Sequence, residues 1–228
     1  MSSAIDLSPL WISLETAAAT IAIVFVLGVV AAWWVERLSS EKAKILIDGI
    51  FTLPMVLPPT VAGFFLLVIF GNNRLVGRFF IDSFGVQIAF SWLATVLAAA
   101  VISFPLMYRS ARGALMQVDK GIMEAGRSLG MTEWRIFWRL HLPNAFPGII
   151  AGGLLAFARG LGEFGATAML AGNIAGKTRT LPLAVYSAVA AGDFDSAGVY
   201  VLIIVTICLA VVIGLNYYQH YMKKRMEE

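Results

Sequence analysis

The sequence predicts an all-α, polytopic integral membrane protein with five transmembrane helices, and three observations carry that prediction. Of its 228 residues 59% are hydrophobic and 14% charged, against roughly 25% charged in soluble domains. The mean hydropathy is +0.82. The apolar runs are long enough to cross about 30 Å of hydrocarbon, which takes about 20 helical residues, and they lack the alternation of a barrel strand. Lipid offers a backbone amide no partner, so these runs must satisfy their hydrogen bonds internally, as helices.

Spans are expected over residues 12 to 35, 46 to 70, 88 to 108, 148 to 170 and 198 to 219. The first is not read as a cleaved signal peptide, because residues 1 to 11 hold no Lys or Arg and the apolar run outlasts a signal core. The second carries Pro54, Pro58 and Pro59. Each lacks an amide proton, so the helix should break there. Carbonyls freed at membrane depth need protein or a wet cavity, so the break, with Thr60 beside it, either lines a translocation pathway or is a kink packed on neighbouring helices.

The third span ends at the basic Arg109. The fourth contains Arg159 and Glu163, whose spacing pairs opposite charges on one helix face. Either charge alone would be costly in lipid, so the pair lines a polar route or orders a helix contact. Gly160, Gly162 and Gly165 around it allow close backbone approach. Residues 181 to 196 are apolar and then acidic, too short to cross, and expected to dip in as a re-entrant helix; the alternative, a sixth crossing with shifted boundaries, would put the C-terminal Lys223, Lys224 and Arg225 outside, against the charge rule. Cys208, the single cysteine, lies in the last span, which excludes an intrachain disulfide and a cysteine metal cluster.

Orientation follows from the basic residues, which are retained on the cytoplasmic side. Segments 36 to 45, 109 to 147 and 220 to 228 carry 12 of the 17 Lys and Arg, and the alternate segments carry 4. The N-terminus is therefore expected outside and the C-terminus inside. The net charge of +3 is then a topological signal and not a nucleic-acid face. Residues 1 to 228 read as a single transmembrane domain without linker or repeat.

The longest internal connection, 109 to 147, mixes Arg112, Lys120, Arg127, Arg135 and Arg139 with Asp119, Glu124 and Glu133. Ile122, Met123, Leu129, Trp134, Phe137, Trp138 and Leu140 add more apolar surface than such a loop buries against itself, so a partner is expected to cover part of it.

Residues 124 to 143, EAGRSLGMTEWRIFWRLHLP, resemble the signature loop of ABC importer permeases: Glu-Ala-Ala, three residues, Gly, nine residues, Ile, one residue, Leu-Pro. Glu124, Ala125, Gly130, Leu142 and Pro143 match, while Gly126 replaces the second Ala and Leu140 the Ile. Residues 48 to 71, 90 to 109 and 155 to 170 resemble the molybdate permeases of that superfamily, and sulfate, thiosulfate and tungstate permeases share much of the pattern. The resemblance implies a type I ABC importer permease fold with a cytoplasmic coupling helix. Met123, Glu124, Ala125, Gly126, Arg127, Leu129 and Gly130 would form a knob with an acidic first turn and a tight stop at Gly130. It further implies a second permease copy, two cytoplasmic ATPase subunits, an extracytoplasmic oxyanion-binding protein and a multi-pass place in the bacterial inner membrane. The translocation pathway would hold Pro54, Pro58, Pro59, Thr60, Arg159 and Glu163.

No cofactor is expected and no catalytic set appears: His141 and His220 are far apart and the acidic residues scattered. Ala171, Gly176, Lys177 and Thr178 fit a relaxed phosphate-loop pattern, but that chemistry needs a strand entering the loop and a helix leaving it. Lys177 and Arg179 are instead expected to meet a docked receptor, the anion, or solvent. The competing class is a membrane receptor or scaffold whose charged loop docks a cytosolic protein. A gradient-driven carrier is disfavoured, because no midplane carboxylate stands without a nearby partner and no inverted repeat is visible.

Overall fold

The computed structural model describes residues 5 to 227; residues 1 to 4, Glu228 and the side chains of Tyr221 and of residues 223 to 227, among them Lys223, Lys224 and Arg225 counted above as cytoplasmic, lie outside the described residues. In order come α1 (Ser8–Glu36), α2 (Glu41–Val56), α3 (Pro59–Phe70), α4 (Leu75–Phe84), α5 (Trp92–Met116), α6 (Lys120–Ser128) and α7 (Glu133–Ile136). A π-turn (Phe137–His141) leads into α8 (Leu142–Leu161), followed by α9 (Gly165–Leu170), α10 (Leu181–Ala190) and α11 (Phe194–Glu227). No strand occurs among the described residues.

Four helical stretches are long and apolar enough to cross a membrane, Ser8–Glu36, Trp92–Met116, Glu133–Leu161 and Phe194–His220. A fifth exists where α2 and α3 are counted as one span bent by 110°. The expected break thus falls at Leu57 and Pro58. Pro54 stays in the last turn of α2, while Pro58 caps α3 and Pro59 opens it, where a missing amide proton does no harm.

Two boundaries differ from expectation. The connection 109 to 147 is not a loop: α5 continues to Met116, and the next long helical stretch begins at Glu133. Arg109 and Arg112 end a span there because Arg and Ala sustain a helix as well as apolar residues do. The fourth span is not one helix to residue 170. It stops at Leu161, and residues 162 to 164 separate it from α9. Segment 181 to 196 contains α10, only 10 residues, or about 15 Å at 1.5 Å per residue. It turns at Gly192, whose φ is +77°, before α11.

The core is built around α5. Val24, Ala32 and Val35 of α1, Met107, Tyr108 and Ala111 of α5, and Ile149 and Ala156 of α8 are buried together. Backbones approach closely: a Cβ on Gly28 would lie 3.2 Å from the Tyr108 backbone nitrogen. On the other side, Ala62 and Leu66 of α3, Ala94, Ala98 and Ile102 of α5, and Ala166 and Leu170 of α9 form a second cluster. The Thr16 and Thr95 hydroxyls share a hydrogen bond of 2.9 Å between α1 and α5. Outward, Leu202, Val205, Leu209 and Ile213 of α11 stay exposed, a surface that suits lipid.

Candidate functional site

Two regions hold the candidate side chains: an exposed knob, and a pair of broken helices.

The knob is α6. Asp119 caps it by accepting the Gly121 amide at 2.7 Å. At the other end Gly130 (φ +73°) donates to Arg127 O at 2.9 Å and Met131 donates to Gly126 O at 3.1 Å. That is a Schellman stop, which a left-handed glycine makes without strain. Glu124 is not in the first turn, as the sequence suggested; the helix begins earlier, at Lys120, and its leading acid is the cap Asp119. Glu124, Ala125, Arg127 and Gly130 are exposed, Leu129 is 82% exposed, and Met123 is half-buried.

Gly126 alone among these faces inward. A Cβ there would stand 2.8 Å from Leu140 Cδ1 and 3.2 Å from Ile136 Cγ1. The two departures from the permease pattern therefore touch each other: a δ-methyl of Leu140 occupies the place an alanine methyl would take.

The knob is fastened to α1 by charge and aromatic contact. Arg127 donates to Glu133 at 2.7 and 3.3 Å, and Arg37 lies 3.7 Å from the same carboxylate. The Arg37 guanidinium also stacks 4.3 Å over Trp33, a cation–π contact, and Trp33 packs on Phe137 and Trp134 at 4.9 and 6.0 Å. Phe137 is thus buried within the chain and not left to a partner, whereas Trp134 and Trp138 remain exposed.

Sequence reasoning missed a charge cluster nearby. Arg112 donates to Glu36 and to Asp48, each at 2.7 Å, and the Tyr108 hydroxyl donates to Asp48 at 2.9 Å. These groups tie α1, α2 and α5 together. They lie near the ends of three expected spans, and of the four only Arg112 entered the reading, as a topological charge.

In the second region the break between α2 and α3 faces the break between α8 and α9. A Cβ on Gly165 would lie 3.0 Å from Pro59 Cβ and 3.2 Å from Thr60 Cγ2; one on Gly63 would lie 2.7 Å from Ala166 Cα. A cavity of about 250 Å³ opens at this junction, walled by Pro54, Met55, Pro59, Ile102, Leu106 and Arg159 among others. Pro58 and Thr60 are exposed and lie outside that wall.

Arg159 and Glu163 do pair, Nη1 to Oε2 at 2.8 Å, but they do not share a helix. Arg159 ends α8, and Glu163 stands in the break. Its other oxygen accepts the Ala166 amide at 2.8 Å, capping α9. With its side chain 2% exposed and both oxygens bound, Glu163 is fixed in place, while the Arg159 side chain is 37% exposed.

The phosphate-loop look-alike follows a helix, α9, and closes as a turn: the Thr178 hydroxyl accepts the Ile174 amide at 3.0 Å. Lys177 is exposed at its tip, whereas Arg179 donates to Asn173 at 2.8 Å. Among the described residues no group of three or more His, Cys, Asp or Glu side chains is arranged to hold a metal ion.

The molybdenum transport system permease protein ModB of Escherichia coli is 44% identical to this chain over 208 residues, 90% of each chain. ModB of Haemophilus influenzae is 42% identical over 182 residues, 80% of this chain and 79% of its own. An inward-facing structure of the MetNI methionine ABC transporter shares the fold with a TM-score of 0.72 at 17% identity, over 93% of this chain and 94% of that one. The fold is that of a type I ABC importer permease. Residues 10–228 match the binding-protein-dependent transport system inner membrane component, and the chain belongs to that family.

Proposed function

We propose that this chain is the membrane-spanning subunit of an ATP-driven importer that moves molybdate into the bacterial cytoplasm by alternating access. The observation that carries the proposal is α6: a capped, exposed helix held on an aromatic and charged seat at the end of α1, presenting Glu124, Arg127 and Leu129 outward. Such a shape suits a groove on a soluble ATPase, and relatives named for molybdenum transport support the choice of substrate.

In this reading residues 1 to 228 form one permease domain that crosses the inner membrane five times, N-terminus outside and C-terminus inside. Two copies pair, two cytoplasmic ATPase subunits grip α6, and an extracytoplasmic receptor delivers the oxyanion. Met123, Glu124, Ala125, Gly126, Arg127, Leu129 and Gly130 serve coupling; Pro54, Pro58, Pro59, Thr60, Arg159 and Glu163 serve the pathway. ATP is hydrolysed by the ATPase subunits and not by this chain. Alternation answers an energetic demand, since burying even one bare charge costs on the order of tens of kcal/mol by a Born estimate. A wet cavity open to one side at a time avoids both that cost and a leak.

The test is uptake into proteoliposomes holding the permease, its ATPase and its receptor, with molybdate, tungstate and sulfate supplied in turn. ATP-dependent accumulation of molybdate at the lowest concentration is expected, and Glu124→Lys or Gly130→Pro should leave ATP hydrolysis uncoupled from it. Preference for sulfate would reassign the substrate, and normal uptake in both variants would overturn the docking role of α6.

A further inference from the structure

We infer that the cavity at the two facing helix breaks is a transient binding site for a tetrahedral oxyanion, with Arg159 as its ligand and Glu163 as the fixed counter-charge that keeps the anion from being trapped. The inference rests on the transport reading above and assigns that route a specific stopping point.

Among the described residues Arg159 is the one charged side chain on the cavity wall; Pro54, Met55, Pro59, Ile102 and Leu106 around it are apolar. A volume of about 250 Å³ has room for an oxyanion of five heavy atoms together with several waters at ~30 Å³ each. An apolar wall lowers the local dielectric, so a guanidinium there attracts an anion far more strongly than it does in bulk water. A planar guanidinium carries five N–H donors, and Glu163 engages Nη1, leaving an edge that suits the oxygens of a tetrahedral anion.

Glu163 sets the strength. An Arg with no acid beside it would hold a dianion tightly, and a conduit must release what it admits. A mobile carboxylate would swing away or compete for the cavity. Glu163 does neither, because the Ala166 amide holds its second oxygen and the side chain is buried. It therefore subtracts a constant amount of attraction and orients the guanidinium by holding one side of it. The pair is better described as a tuned anion contact than as a plain structural salt bridge.

The experiment uses the assembled permease–ATPase complex in lipid nanodiscs, without receptor, and measures equilibrium binding of radiolabelled molybdate against chloride, phosphate and sulfate. Wild type is expected to bind weakly and saturably. Glu163→Gln keeps an amide oxygen to cap α9 but removes the charge, and should tighten binding about tenfold while slowing turnover in receptor-driven uptake. Arg159→Gln should abolish binding. Met55→Trp, which fills the cavity and leaves both charged residues in the sequence, should also abolish it and guards against an Arg159 variant that fails to assemble. Equal binding in wild type and Glu163→Gln, or unchanged binding in Met55→Trp, overturns the inference. Wild-type uptake that is ATP-driven but indifferent to these variants does so too and leaves the importer reading standing; no ATP-driven oxyanion uptake by wild type defeats that reading itself.

Discussion

At the scale of single residues, the contact between Gly126 and Leu140 turns two separate substitutions into one coupled choice. Gly126→Ala should gain about 1 kcal/mol of helix propensity and lose about 1–3 kcal/mol to overpacking against Leu140 and Ile136, for a net loss. Combined with Leu140→Ile, which moves the branch from Cγ to Cβ and leaves one δ-methyl in place of two, the loss should shrink. A double-mutant cycle on thermal stability of the purified complex would then show a coupling above ~0.5 kcal/mol; strict additivity would mean the two sites are independent. Both departures were legible in the sequence as departures. Their contact was not, because it joins α6 to the π-turn across a gap that helical spacing does not predict. The same holds for Glu163: its distance of four from Arg159 was read as one helix face, but the chain leaves the helix at Gly162 and the pair forms across the end.

At the scale of elements, punctuation by proline was readable and punctuation by glycine was not. Three prolines announced the break between α2 and α3, whereas Gly162 and Gly165 were read as packing residues and also mark the break before α9. Proline in a helix interior costs ~3 kcal/mol, so its cluster has one reading, while glycine costs ~1 kcal/mol and serves packing equally well. Replacing Pro58 and Pro59 together by Ala should let helix propagate through residue 57 and reduce the 110° bend. Spin labels on α2 and α3 should then move apart, and uptake should fall at least about tenfold, as a barrier rise of ~1.4 kcal/mol would produce. Unchanged label distances would mean that packing on α9 and not proline holds the bend. The start of α11 offers a pH test. Hydrogen bonds from Ser196 hold the Asp193 carboxyl below its ordinary 3.8. A lowered carboxylate pKa contributes stability that is fully present above the ordinary value and is lost as pH falls through the lowered one. Protection of the amides in the first turn of α11 against exchange, relative to their intrinsic rate at each pH, should therefore fall below about pH 4, and Asp193→Asn should remove that dependence.

At the scale of the whole molecule, composition and the long apolar runs sufficed for the class, while the packing order required the structure. No periodicity indicated that α5 would be shared by both large clusters, with α1 and α8 on one side and α3 and α9 on the other. Sidedness is testable directly. In a Cys208→Ser background, Leu129→Cys should react with a membrane-impermeant maleimide in inside-out vesicles and be protected in intact cells, and the ATPase subunit should shield it in the assembled complex. Labelling from the outside of sealed cells would invert the topology. Finally, the π-turn at Phe137–His141 holds one residue more than an α-helix needs over the same rise. Removing a single residue there should restore ordinary winding and leave the orientation of α6 nearly unchanged, whereas the same deletion within the regular turns of α8 should swing α6 by about 100° around the helix axis. The rotational phase between α6 and α8 is thus buffered by five consecutive residues, so a lineage could lose one codon there without turning one end of the helix against the other.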